Sequence, residues 1–110
     1  MKNSKVYSML SIARKAGKVR SGEFSTEKSV KTGRSFLVVI AGDASDNTKK
    51  KFADMCSYYE VPCVQYGNKE DLGRCIGCQV RTSISVEDEG LAGSVRKAAQ
   101  SEADLSRQCE

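Results

Sequence analysis

The segment from Gly22 to Lys31 carries the residues best suited to holding an anion. With a helix from Glu23 to Thr32, Phe24, Lys28 and Lys31 fall at i, i+4 and i+7, on one line. One aromatic ring and two ammonium groups in a row offer a stacking surface and two phosphate contacts. Ser21, Gly22 and the helix N-terminus add backbone N–H donors. The same residues admit a second reading, in which Phe24 packs inward and both lysines are ordinary solvated charges. Lys49-Lys50-Lys51 is another basic cluster, in the first two turns of a predicted third helix. Cations there oppose the helix dipole by about 0.3–1 kcal/mol each. Either an anionic partner uses them, or Asp46 at the cap neutralises them.

Other reactive side chains form no constellation. Cys75-Ile76-Gly77-Cys78 has the CxxC spacing, but a zinc site needs two more ligands. Histidine is absent, and Cys56 and Cys63 stand seven apart, inside a predicted helix and a predicted strand. A redox pair should open a helix after a strand, whereas this one ends a helix, so both cysteines are expected to be small apolar fillers. The clusters Glu70-Asp71 and Glu87-Asp88-Glu89 are accounted for by acids at helix N-termini. Neither a GxGxxG nor a Walker pattern occurs. Lack of histidine also removes the commonest general base and metal ligand. No catalytic residue, metal, cofactor or small-molecule substrate is expected, and the protein is read as not an enzyme.

Composition bounds the rest. A chain of 110 residues with 39% hydrophobic content makes one domain, burying roughly two-thirds of its unfolded surface. Its longest apolar run, Phe36–Ala41, is far short of the ~20 residues that span a bilayer. Met1-Lys2-Asn3-Ser4-Lys5 leads into an amphipathic segment rather than a signal peptide. Five cysteines without tight periodic spacing argue against a secreted disulfide framework. A cytoplasmic, monomeric protein with no membrane contact is expected. The net charge of +4 is unevenly spread. Residues 1–51 hold twelve Lys/Arg against four Asp/Glu, a net +8, leaving six and ten, a net −4, for residues 52–110. Such asymmetry suits a polyanion on one face, although solvated surfaces are charged in any case.

The elements that must position these groups alternate between helix and strand. Val6, Leu10 and Ala13 define a helix over residues 4–16, stopped by Gly17. Lys18–Arg20 is a short strand, and the second helix follows, with Thr26 and Val30 inward and Gly33 as its stop. The β-branched run Phe36–Ala41 predicts a strand covered on both faces. Ser45 or Asp46 caps a third helix to Tyr59, with Phe52, Met55, Cys56 and Tyr59 as its apolar stripe. Cys63–Tyr66 is a strand, Asn68 or Lys69 opens a short helix to Cys75 or Ile76, and Thr82–Glu87 is a fourth strand. Residues 88–101 make the last helix, through Leu91, Val95 and Ala98 or Ala99, and residues 102–110 read as a polar tail that frays. This order implies an α/β fold, a three-layer α/β/α sandwich around a small central mixed sheet of about four strands. Three strands run into a glycine, at Gly22, Gly42 and Gly67, and ligands of open α/β sheets bind beyond such strand ends.

In their order, these residues resemble the ribosomal L7Ae/L30e/S12e superfamily. The resemblance is carried by Gly22-Glu23-Phe24-Ser25-Thr26-Glu27-Lys28, by Gly33, and by Phe36 through Asp43. Val61-Pro62, Lys69-Glu70-Asp71-Leu72-Gly73, Gly77 and Asp88-Glu89-Gly90 continue it, over about residues 4–100. Ala44 through Lys51 and Cys56-Ser57-Tyr58-Tyr59 look most like its bacterial ribosome-associated subgroup. The resemblance implies a single RNA-binding domain over residues 1–101 that takes structured RNA, often a kink-turn, with ribosomal RNA or the ribosome as partner. It also implies two contact regions. One runs from Gly22 and Glu23 through Phe24, Ser25 and Lys28 to Lys31; the other is the loop Gly77-Cys78-Gln79-Val80-Arg81, whose apolar member packs on a flipped-out nucleotide. Kink-turn readers present an Asn-Glu pair where this chain has Phe24 and Ser25. Losing that amide and carboxylate removes base-edge readout, while Phe24 supplies stacking and Lys28 is retained. A protein-interaction module on the same fold, with Phe24 as anchor, is the alternative of another class. An accessory domain of RNA-modifying enzymes is a further one.

Overall fold

The computed structural model describes residues 5–108, with side chains through residue 101. Its elements are α1 (Lys5–Lys15), β1 (Val19–Ser21), α2 (Glu23–Lys31), β2 (Leu37–Ile40), α3 (Asp46–Tyr59), β3 (Cys63–Gln65), α4 (Lys69–Cys75), β4 (Ser83–Val86) and α5 (Glu89–Gln108). The sheet has the order β1-β4-β2-β3. β2 and β3 are parallel, while β4 runs antiparallel to both β1 and β2. Helices α2 and α3 pack on one face, and α1, α4 and α5 on the other. This is the α/β/α sandwich the alternation predicts.

The central layer is buried because it is covered on both faces. Every residue of β2 is buried, as is every residue of β4. Phe52 from α3 seals one face, and Leu10 and Val95 the other, all three fully buried. Local signals set the helix ends. The Ser45 hydroxyl accepts the Thr48 N–H at 3.2 Å, and the Asn68 Oδ1 accepts the Asp71 N–H at 2.8 Å. Asp88 does the same for α5, accepting the Leu91 N–H at 2.8 Å.

Three expectations change. The α3 stripe narrows to Phe52, Met55 and Cys56, because Tyr59 stands 40% exposed against an exposed Tyr58. Helix α5 continues to Gln108 rather than ending at residue 101, since the Ser101–Gln108 stretch holds no glycine or proline to stop it. The acidic cluster after β4 divides: Asp88 caps α5, whereas Glu87 turns toward α2. No helix among the described residues is long and apolar enough to cross a membrane.

Candidate nucleic-acid interface

Because β4 opposes both of its neighbours, β1, β2 and β3 all point the same way. Their C-terminal ends and the start of β4 therefore share one edge of the sheet. Four loops meet there and are bonded to one another. The Gly22 N–H donates to Ser83 O at 3.0 Å, and the Gly42 N–H to Gly67 O at 2.8 Å. The Lys69 N–H donates to Asp43 Oδ1 at 2.9 Å, and Lys69 O accepts the Arg81 N–H at 3.0 Å. Finally, Arg81 Nε donates to the Ser21 hydroxyl at 3.1 Å, so the loop before β4 is held against the end of β1.

That loop owes its position to Gly73. A Cβ at residue 73 would overlap the Gln79 carbonyl oxygen, with the Gln79 carbonyl carbon at 2.7 Å and Val80 Cα at 3.0 Å. The backbone of residues 78–80 thus lies directly on α4, with the Cys78 N–H donating to Gly73 O at 2.8 Å. Val80 is left 45% exposed beside Arg81, and Gln79 is exposed as well. Both contact regions of the resemblance consequently occupy one end of the molecule.

Helix α2 begins at Gly22, whose φ of 92° and ψ of 155° suit only glycine, and no side chain caps it. Thr26 and Val30 face inward as expected, joined by Ser29. Phe24 is 80% exposed, which rules out the reading in which it packs inward. On the side away from α3, Phe24, Ser25 and Lys28 line a cleft of about 300 Å³ between α2 and the edge strand β1. Its other cations are Arg20 and Arg34, and its one acid is Glu87. The Glu87 carboxylate accepts from Ser29 Oγ at 2.6 Å and stands 3.8 Å from Arg20. Behind it, Ser29 Oγ lies 2.8 Å from Ser85 Oγ, which donates to Ser35 Oγ at 2.8 Å, a buried hydroxyl row fastening α2 to β4.

The predicted line of Phe24, Lys28 and Lys31 does not survive intact. Lys31 donates to Glu27 at 3.0 Å, one turn back on its own helix. Glu23 and Glu27 are both held by Lys51 of α3, at 2.9 and 2.7 Å. These pairs clamp α2 to α3. Hydrogen bonds from Lys51 and then Lys31 hold the Glu27 carboxyl below its usual range, and Glu27 and then Glu23 raise Lys51. Glu23 and Lys51 therefore bridge α2 and α3, while Lys31 is paired along its own helix, and all three side chains stay partly exposed. Lys28 makes no ion pair among the described residues, and neither do Lys49 and Lys50 near the start of α3.

Arg20, Arg34 and Gly73 are what the sequence reading missed. Arg20 is the outward residue of a three-residue edge strand, and Arg34 follows the Gly33 stop. Each had a local signal, but only the sheet brings them to one cleft. The close approach at Gly73 had none.

The model of the ribosomal protein L7Ae/L30e/S12e/Gadd45 family matches residues 4–95. The RNA-binding protein YlxQ of Bacillus subtilis (strain 168) is 39% identical over 89 residues, covering 81% of this chain and 89% of its own. The large ribosomal subunit protein eL8 of Picrophilus torridus is 35% identical over 98 residues, covering 88% and 77%. Among solved structures, a protein of unknown function from Bacillus halodurans superposes with a TM-score of 0.86 at 35% identity, covering 89% of this chain and 99% of its own. With a family match across most of its length and relatives this similar, the chain belongs to the ribosomal protein L7Ae/L30e/S12e/Gadd45 family.

Proposed function

We propose that this protein binds structured RNA, with ribosomal RNA as its partner, and performs no catalysis. It does so through the loop-bearing edge of the sheet and the adjoining flank of α2. The observation that carries this reading is an 80% exposed Phe24 at the mouth of a cleft lined by Arg20, Lys28 and Arg34. Lys28 and the two arginines take phosphates, which positions the protein, while Phe24 and Val80 pack on unstacked bases. Phe24 and Ser25 offer no amide–carboxylate pair for base edges, so recognition rests on shape, stacking and charge rather than on kink-turn base pairs. An exposed phenylalanine also suits a protein partner, but three cations in one cleft favour a polyanion. Names of relatives support the same reading: YlxQ is called an RNA-binding protein, and eL8 a ribosomal one.

The test is a salt titration of binding to ribosomal RNA fragments. Lys28→Ala should reduce the slope of log K against log salt by roughly 0.7–0.9, one phosphate contact. Lys31→Ala should leave it unchanged, because that ammonium is committed to Glu27. Phe24→Ala should cost about 1–3 kcal/mol of affinity, as for a stacked base, at constant slope. Equal slope changes for Lys28→Ala and Lys31→Ala, or no RNA binding, would overturn the assignment.

A further inference from the structure

The cleft beside α2 contains an acid that phosphate binding does not need. Glu87 is the first residue after β4, and its backbone N–H donates to Lys18 O at 2.7 Å, which fixes it beside β1. Its side chain is only 11% exposed, against 48% for its neighbour Arg20. The two carboxylate oxygens are used differently. Oε2 accepts the Ser29 hydroxyl at 2.6 Å, at the end of the buried hydroxyl row. Oε1 accepts no hydrogen bond among the described residues, since Arg20 Nε stands 3.8 Å away, beyond hydrogen-bond reach. A carboxylate set among Arg20, Lys28 and Arg34 repels the phosphates those cations attract, so it serves a different part of the ligand.

We propose that this cleft is a pocket for one unpaired guanine nucleotide of the bound RNA, with Glu87 as the residue that selects the base. The proposal rests on the RNA-binding reading and adds base selection to it. A carboxylate only accepts hydrogen bonds, and what it meets on a base splayed out of the stack is the Watson–Crick edge. Guanine alone presents two adjacent donors there, an imino N–H and an amino group. Adenine and cytosine set an acceptor nitrogen beside their amino group, and uracil flanks its N–H with two carbonyls. Each of those would face the carboxylate with a lone pair. In Glu87, Oε1 is open and Oε2 keeps lone-pair capacity beyond the Ser29 bond, so both donors of guanine can be met. Phe24, 80% exposed at the mouth, supplies a face for the purine ring. Lys28 and Arg34 remain for the phosphates of that nucleotide. A cleft of about 300 Å³ matches one small ligand and is too small for a duplex.

Binding of the full chain to an RNA hairpin with one bulged nucleotide, read by fluorescence anisotropy at fixed salt, tests the proposal. The bulge is made in turn as guanosine, inosine, adenosine, cytidine and uridine. Guanosine should bind roughly 5- to 150-fold tighter than adenosine, cytidine or uridine, the selectivity of one bidentate pair. Inosine, which keeps the imino N–H and lacks the amino group, should fall between. Glu87→Gln should bring guanosine to the level of the other bases, a change of ratio that a merely structural role for Glu87 would not produce. If that variant does not fold, the guanosine–inosine comparison on the parent protein decides. Equal binding of all the hairpins, or a guanosine preference that survives Glu87→Gln, would overturn the pocket and leave RNA binding standing. Failure of every hairpin to bind would overturn the RNA-binding reading and the pocket with it. Guanosine monophosphate competing as well as the bulged RNA would overturn RNA as the source of the guanine.

Discussion

Replacing Gly73 and Gly93 by alanine makes the same chemical change in two helices and should give opposite results. In a helix interior, alanine is favoured over glycine by about 1 kcal/mol. Gly93 is an exposed residue of α5, and a Cβ there meets nothing within 4 Å, so Gly93→Ala should gain most of that amount. Gly73 lies under the backbone of residues 79–80. The Gln79 carbonyl carbon would stand 2.7 Å from the new Cβ and must withdraw by at least 0.7 Å to reach an ordinary 3.4 Å contact. Atoms of the main chain cannot rotate out of the way as a side-chain end can. Overpacking of this kind costs about 1–3 kcal/mol, which offsets the propensity gain and leaves Gly73→Ala between about neutral and 2 kcal/mol destabilised. In a domain of this size 1 kcal/mol moves Tm by roughly 4–8 °C, so a thermal melt separates the variants. Moving the loop also moves Val80 and loosens the Arg81–Ser21 bond, so RNA affinity should fall for Gly73→Ala and hold for Gly93→Ala. If both substitutions raise Tm alike, the loop does not depend on the missing Cβ, and the account of how it is positioned fails.

Two further outcomes follow from named contacts. Gly22→Ala should destabilise by about 1–3 kcal/mol in urea unfolding, because φ of 92° is strained for alanine even though its Cβ meets nothing; an unchanged midpoint would contradict that. Glu27 has its carboxyl pKa lowered in the fold, so its contribution is present above the usual 4.5 and lost as pH falls through the lowered value. Lys51 is raised, so its share is full below 10.5 and lost only as pH rises beyond that. Glu27→Gln should therefore flatten the acid limb of stability as pH falls below about 4.5, most visibly at low salt. Parallel acid limbs for the variant and its parent would refute the clamp.

Elements were legible where the determinant is local. The run Phe36–Ala41 could only be a doubly covered strand, and Ser45 and Asn68 cap the helices they precede. The shared exposed line of Phe24 and Lys28 on α2 was legible for a similar reason, because helical spacing alone puts them there. Lys31 shares that line, but a long side chain takes the nearest carboxylate, and Glu27 one turn back provides it. Where Glu23 went depended on Lys51, 28 residues away, which no period reports. Helix α3 ends in a left-handed turn at Glu60, after which the Val61 N–H returns to Cys56 O. No glycine marks that turn; Pro62, just beyond it, signalled the helix end at Tyr59 but not the left-handed residue.

The interface also has a history in time. Ser21 and Arg81, which tie its halves together, are sixty residues apart, and β1 is held in the sheet only by β4. Closing so long a loop has an entropic cost that must be met before the contact forms. A chain emerging from synthesis carries Phe24 and Lys28 early, yet it has nothing to hold β1 in place until Ser83–Val86 has been made and inserted between β1 and β2. The arrangement proposed to hold RNA is thus completed only once β4 is in place. Any opening that releases β4 also releases β1, so that arrangement depends on the whole sheet being intact.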